Sequence, residues 1–96
     1  MKKYAFLAFL FSTNLLAIEN QLNICTRGDE LRAIEIFYLT RDWVPCEVNY
    51  TRNGTNKILW KAQFNQGFCE EKASNFVNRL RNSGWNCKSI IGEPEQ

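Results

Sequence analysis

CEVNYTRNGTNKILWKAQF, residues 46–64, is the stretch that decides the fold. In its first part Cys46, Val48 and Tyr50 alternate with Glu47, Asn49 and Thr51. In its last part, residues 57–64, Ile58, Trp60, Ala62 and Phe64 fall on one face at period two. Between them stands Asn53-Gly54, the dipeptide best suited to a two-residue hairpin loop. The stretch therefore reads as two antiparallel strands. Their register is the harder question. A two-residue loop sets Val48 against Leu59 and Tyr50 against Lys57, which brings lysines onto the face of Cys46 and Val48. An odd loop over residues 52–56, or a bulge, sets Cys46 by Ala62, Val48 by Trp60 and Tyr50 by Ile58. A slip of one residue turns every side chain to the other face. The second arrangement is favoured because it keeps one apolar face intact.

Upstream, residues 32–39 (RAIEIFYL) are rich in β-branched and aromatic side chains, with Ile34, Ile36 and Tyr38 at period two. Downstream the period changes. Cys69, Ala73, Phe76, Val77 and Leu80 stand at i, i+4, i+7, i+8 and i+11, one stripe of a helix over residues 68–82. Glu70 and Glu71 in its first turn and Arg79 and Arg81 in its last suit the helix dipole. Gly84 can end it in the left-handed conformation, with Trp85 folding back onto the last turn. Residues 89–91 allow a short fourth strand. The expected fold is α+β: a three-stranded antiparallel β-meander, one C-terminal helix packed on one face, and two disulfides.

Four cysteines permit three pairings. A helix over residues 68–82 is roughly 20 Å long, so Cys69 and Cys87 at its two ends cannot come within the about 7 Å that a disulfide needs. That also removes Cys25–Cys46. In the meander, Cys46 lies beside the strand end from which the helix starts, at Cys69. Cys25 lies at the opposite edge, towards which the helix returns Cys87. The expected pairs are Cys46–Cys69 and Cys25–Cys87. A zinc site is disfavoured, because the cysteines are 21, 23 and 18 positions apart and the chain has no histidine. A redox site is disfavoured by the absence of a C-x-x-C pair.

The N-terminus explains why disulfides are expected. Met1-Lys2-Lys3 precedes the apolar run YAFLAFLF, residues 4–11, and Ala17 ends a looser segment. Charge, apolar run and small residue in that order form a secretory signal peptide over residues 1–17. The run is short for the competing reading, an uncleaved anchor. Residues 18–96 then form a single small exported domain, periplasmic or secreted, with no membrane span in the mature chain. A domain of about 80 residues buries only about 60% of its unfolded surface, so disulfides matter to it.

Lys2 and Lys3 belong to the leader. The chain's 12 basic and 10 acidic residues thus become ten of each in the domain. A formally neutral domain lacks the basic stripe that nucleic acid requires, and the mild cluster Lys72, Arg79 and Arg81 reads as a solvated helix face. Without histidine the commonest general base is missing. Neighbouring carboxylates Asp29-Glu30 and Glu70-Glu71 do not make the opposed pair that a glycosidase uses. No catalytic residue, cofactor or metal ligand is expected. Arg27-Gly28-Asp29 reads as a turn more readily than as an integrin-type tripeptide. Asn49 and Asn53 both begin glycosylation sequons.

The face of the meander away from the helix carries the functional expectation. Phe37, Leu39 and Leu59 fall there, with Trp43 in the loop between the first two strands. Trp43 either packs over the Cys46–Cys69 end or stands exposed. Together these residues form a candidate surface for an unidentified protein partner or for self-association. The competing reading is that residues 21–24 fold over them. Trp60 and Trp85 are expected to be structural.

PCEVNY, LWKA, GFCEEKASNFV and GWNC, between Pro45 and Cys87, resemble a group of small uncharacterised exported four-cysteine proteins of Gram-negative bacteria. The resemblance rests on structural positions. It implies fold and compartment and transfers no active site. The functional expectation is a small exported binding or interaction protein, inhibitor-like or an envelope accessory. A structural subunit of an envelope assembly is the alternative, and a small hydrolase using Asp or Glu the more distant one.

Overall fold

Six elements follow one another in the computed structural model, which describes residues 18–91: β1 (Gln21–Arg27), β2 (Glu30–Tyr38), β3 (Cys46–Arg52), β4 (Thr55–Ala62), α1 (Phe68–Asn82) and β5 (Asn86–Ile91). Residues 1–17, the expected leader, and the last five residues lie outside that range. All the strand pairs are antiparallel, in the order β4-β3-β2-β1-β5. The class is α+β as expected, but the sheet has five strands rather than three or four. The segment expected to fold over the outer face is instead a strand of the sheet. Gly28-Asp29 is the turn of a hairpin that pairs Arg27 with Glu30, with Gly28 at φ 60° in the first central position. β5 then adds to the free side of β1, pairing Cys25 with Cys87.

The β3–β4 hairpin resolves the register question by using both arrangements. Asn53 and Gly54 both have positive φ, 53° and 77°, the two-residue turn that the dipeptide favours. Near this turn Tyr50 pairs with Lys57 and Asn49 with Ile58. Farther on, Val48 pairs with Trp60 and Cys46 with Ala62. Leu59 is the extra residue, a β-bulge between the two registers. The bulge lets Ala62 and Trp60 face the helix although the turn alone would turn them away.

Helix α1 crosses from the β4 edge to the β5 edge over one face of the sheet. Cys69, Ala73, Val77 and Leu80 are its buried stripe, packed on Ile34, Ile36 and Val48. Phe76 stands edge-on to Tyr50 and Trp60, at 4.8 and 6.0 Å between ring centroids. The helix ends as its sequence predicts. Gly84 takes φ 96°, its N–H donates to the Arg81 carbonyl, and the Trp85 N–H donates to the Leu80 carbonyl, each at 3.0 Å. That pair of bonds is a Schellman motif. Both disulfides form as expected. Cys25–Cys87 spans the β1–β5 pair with its Cα atoms 4.0 Å apart, and Cys46–Cys69 joins β3 to the first helical turn at 6.4 Å. All four half-cystines belong to the core.

Candidate functional site

Strand register decides which side chains share the face opposite the helix, because residues directly opposed across an antiparallel pair point the same way. Ile34, Ile36 and Tyr38 of β2 are buried under the helix, so Leu31, Ala33, Glu35 and Phe37 point away from it. Glu35 is opposite Leu22 on one side and Asn49 on the other, and Leu22 is opposite Ile90 of β5. In the next row Ala33 is opposite Ile24, and Ile24 opposite Lys88. Asn49 leads on to Ile58. The result is an apolar patch of Ile90, Leu22, Ile24 and Ala33 across β5, β1 and β2, with Glu35 standing between it and Phe37 on β2. Among the described residues the helix is the only layer on the sheet, and it packs on the other side. Ile90 and Ile58 are about half exposed, at 48% and 47%. Glu47 and Lys61, directly opposed, close one end of the face with opposite charges.

The structure brings together part of the expected surface. Phe37 lies on the open face, half-buried among its neighbours. Leu39, one residue past β2, is exposed, and its N–H donates to the Pro45 carbonyl at 3.1 Å. Leu59 is elsewhere: the register of the tight turn keeps it on the helix side with Lys57, where it lines a cleft with Tyr50, Phe76 and Leu80. Trp43 packs edge-on to the Tyr38 ring at 5.6 Å. It therefore sits over the Cys46–Cys69 end, on the helix side, and remains 40% exposed. Leu22, Ile24 and Ile90 are the residues the sequence reading left out. Their signal was present in Gly28-Asp29, a two-residue hairpin connector, and in the period-two spacing of Leu22 and Ile24.

On the helix side the charged and aromatic groups are interlocked. Trp85 is buried between two guanidinium groups, Arg27 at 4.5 Å and Arg32 at 4.4 Å from its ring centroid. Arg32 donates to the Tyr50 hydroxyl at 2.7 Å. Arg27 donates to the Ser83 carbonyl at 3.2 Å and faces Glu30 at 3.5 Å. Arg27 and Gly28 of the Arg27-Gly28-Asp29 tripeptide thus have structural tasks, and Asp29 is the exposed second residue of the turn. At the other end of the helix the Tyr38 hydroxyl donates to Glu70 Oε2 at 2.5 Å. Burial pushes the Tyr38 phenol well above its ordinary range, and the hydrogen bond to Glu70 and its charge push the same way. Tyr38 is therefore a proton donor held in place, not a general base. Of the two sequon asparagines, Asn49 is buried and Asn53 is exposed at the hairpin tip.

Among the described residues no group of three or more His, Cys, Asp or Glu side chains could hold a metal ion. Nor is any helix there long and apolar enough to cross a membrane. Comparison of the chain with protein-family models, with curated proteins and with solved structures returns no match.

Proposed function

We propose that this protein is an exported, disulfide-stabilised binding module that recognises a protein partner through the open face of its sheet. One observation carries the reading. Ile90, Leu22, Ile24 and Ala33 form an apolar patch, with Phe37 beyond Glu35 on the same face, and no described element covers it. Monomeric proteins rarely leave such a patch on a solvent face without use. An open sheet face offers area and little enclosure, which suits a protein surface better than a small molecule. Export is supported by the leader pattern of residues 1–17 and by two disulfides, which persist in oxidising compartments. A role as a catalyst is not proposed, because the chain offers no histidine and no opposed carboxylate pair in its sequence pattern.

Site-directed photo-cross-linking in the expressing cell tests the reading. A benzophenone side chain placed at Phe37 or Ile24 should give one discrete adduct. The same group at Asn75, exposed on the helix, should give none. Replacing Leu22 by Asp should abolish the Phe37 adduct while leaving the domain folded. An adduct of twice the chain's mass identifies the partner as a second copy. Equal adducts from both faces, or none from Phe37 and Ile24, would defeat the proposal.

A further inference from the structure

The other face of the sheet carries a separate feature at the end where both tight turns lie. Four cations come from four successive strands there: Arg27 from β1, Arg32 from β2, Arg52 from β3 and Lys57 from β4. Arg32 and Arg52 are directly opposed across the β2–β3 pair, on one face. Like charges in that position destabilise a sheet. Lys57, opposite Tyr50, lies one pleat from Arg52 on the same face. Arg27 has Glu30 beside it. The remaining three line an open cleft of about 650 Å³ whose lining includes no Asp or Glu. A domain with equal numbers of acids and bases has thus gathered three cations around one concavity.

Asn53 and Thr55 of the hairpin turn and Tyr50 also line the cleft, and its remaining wall is apolar. Leu59 lines it from β4, on the same face as Lys57, and the helix contributes Phe76 and Leu80. Arg32 is fixed by its bond to Tyr50 and its stacking on Trp85, so one guanidinium is pre-positioned. Arg52 and Lys57 are exposed at the mouth. The volume lies in the range of small-molecule sites. A guanidinium fork and an ammonium beside it complement a carboxylate.

We infer that this cleft binds a small amphiphilic anion, a free aliphatic carboxylate. Its head is held among Arg32, Arg52 and Lys57, and its chain lies against Leu59, Phe76 and Leu80. The anion supplies the negative charge that the opposed arginines lack, so binding offsets their repulsion. The site is independent of the sheet's open face.

The test is isothermal titration of the oxidised protein with laurate below its micelle concentration, beside acetate and dodecyltrimethylammonium. Laurate should bind saturably and the other two should not. The double variant Arg52→Ser/Lys57→Ser, whose changed positions are exposed and outside the core, should fold as the parent does by circular dichroism. It should bind laurate at least about tenfold more weakly, the loss expected on removing charge-assisted hydrogen bonds. Leu59→Ser should weaken laurate while leaving the melting temperature within a few degrees. Equal binding of the cationic amphiphile, unchanged affinity in the double variant, or binding of anionic phospholipid vesicles without binding of monomeric laurate would each overturn the inference.

Discussion

Tyr38 and Arg52 show two ways in which a single side chain spends stability. The Tyr38 hydroxyl satisfies Glu70 Oε2, while Glu70 Oε1 is buried without a partner among the described residues. Replacing Tyr38 by Phe removes the one side-chain donor that this carboxylate has among the described residues and should cost about 1–3 kcal/mol at neutral pH. The same residue sets a pH limit. In the unfolded chain tyrosine ionises near pH 10, whereas the folded pKa is raised above that value. Its contribution is therefore complete below about pH 10 and is lost as pH rises further, at no more than about 1.4 kcal/mol per pH unit. Urea unfolding at pH 9, 10 and 11 should show a steeper decline for the parent than for Tyr38→Phe; parallel declines would refute this. Arg52 works in the opposite sense. Arg52→Glu places an acid opposite Arg32 and should raise stability by a few tenths to about 1 kcal/mol, measured as a shift in the urea midpoint. A gain in stability from removing a native residue is what a site kept for binding produces.

At the scale of elements, the bulge at Leu59 is the device that reconciles a tight turn with an apolar face. Deleting Leu59 should leave a regular ladder in which Asn49–Ile58 follows directly on Val48–Trp60. The variant should fold, keep both disulfides by peptide mapping, and lose about 1–3 kcal/mol in chemical denaturation. Loss of the native fold would mean that the bulge is needed for more than register. This element also marks the boundary of what could be read from the chain. Helix α1 carried its bounds openly, because an apolar stripe at 3.6-residue spacing and Gly84-Trp85 mark body and end together. The β2–β3–β4 meander was legible for the same reason, in period two. The disulfide pairing followed from helix length and strand order without any contact being known. β1 was hidden because its inward positions, Gln21 and Asn23, are polar and its apolar ones, Leu22 and Ile24, face outward. A strand with its polarity inverted relative to the core gives no core signal. β5 was only half visible because its anchor to the sheet is the Cys25–Cys87 link rather than an apolar alternation. Leu59 was assigned to the wrong face because strict alternation fails across a bulge. The candidate surface was accordingly read in part, with Phe37 placed and its neighbours on β1 and β5 missed.

Over the described residues the molecule is a five-stranded sheet under one helix, with one disulfide tying the start of the helix to β3 and the other joining β1 to β5. The two links differ in what they restrain. Cys25–Cys87 closes a separation of 62 residues and Cys46–Cys69 one of 23. Loop-closure entropy assigns them roughly 4 and 3 kcal/mol. The Cys25→Ser/Cys87→Ser variant should therefore lose more stability in thermal and urea unfolding than Cys46→Ser/Cys69→Ser, and removing both links should leave the domain largely unfolded at 37 °C. The reverse ranking would show that native-state packing, not chain entropy, dominates. The links are also nested: the first cysteine to leave the ribosome or a translocation pore is joined to the last, around the middle two. An oxidant that joins thiols in order of emergence would couple Cys25 to Cys46 and strand Cys69 with Cys87 across a helix that cannot bring them together. Native pairing therefore requires either that folding precede oxidation or that an isomerase reshuffle the consecutive pairs, so wherever oxidation outruns folding the yield of native protein should depend on an isomerase as well as on the oxidant.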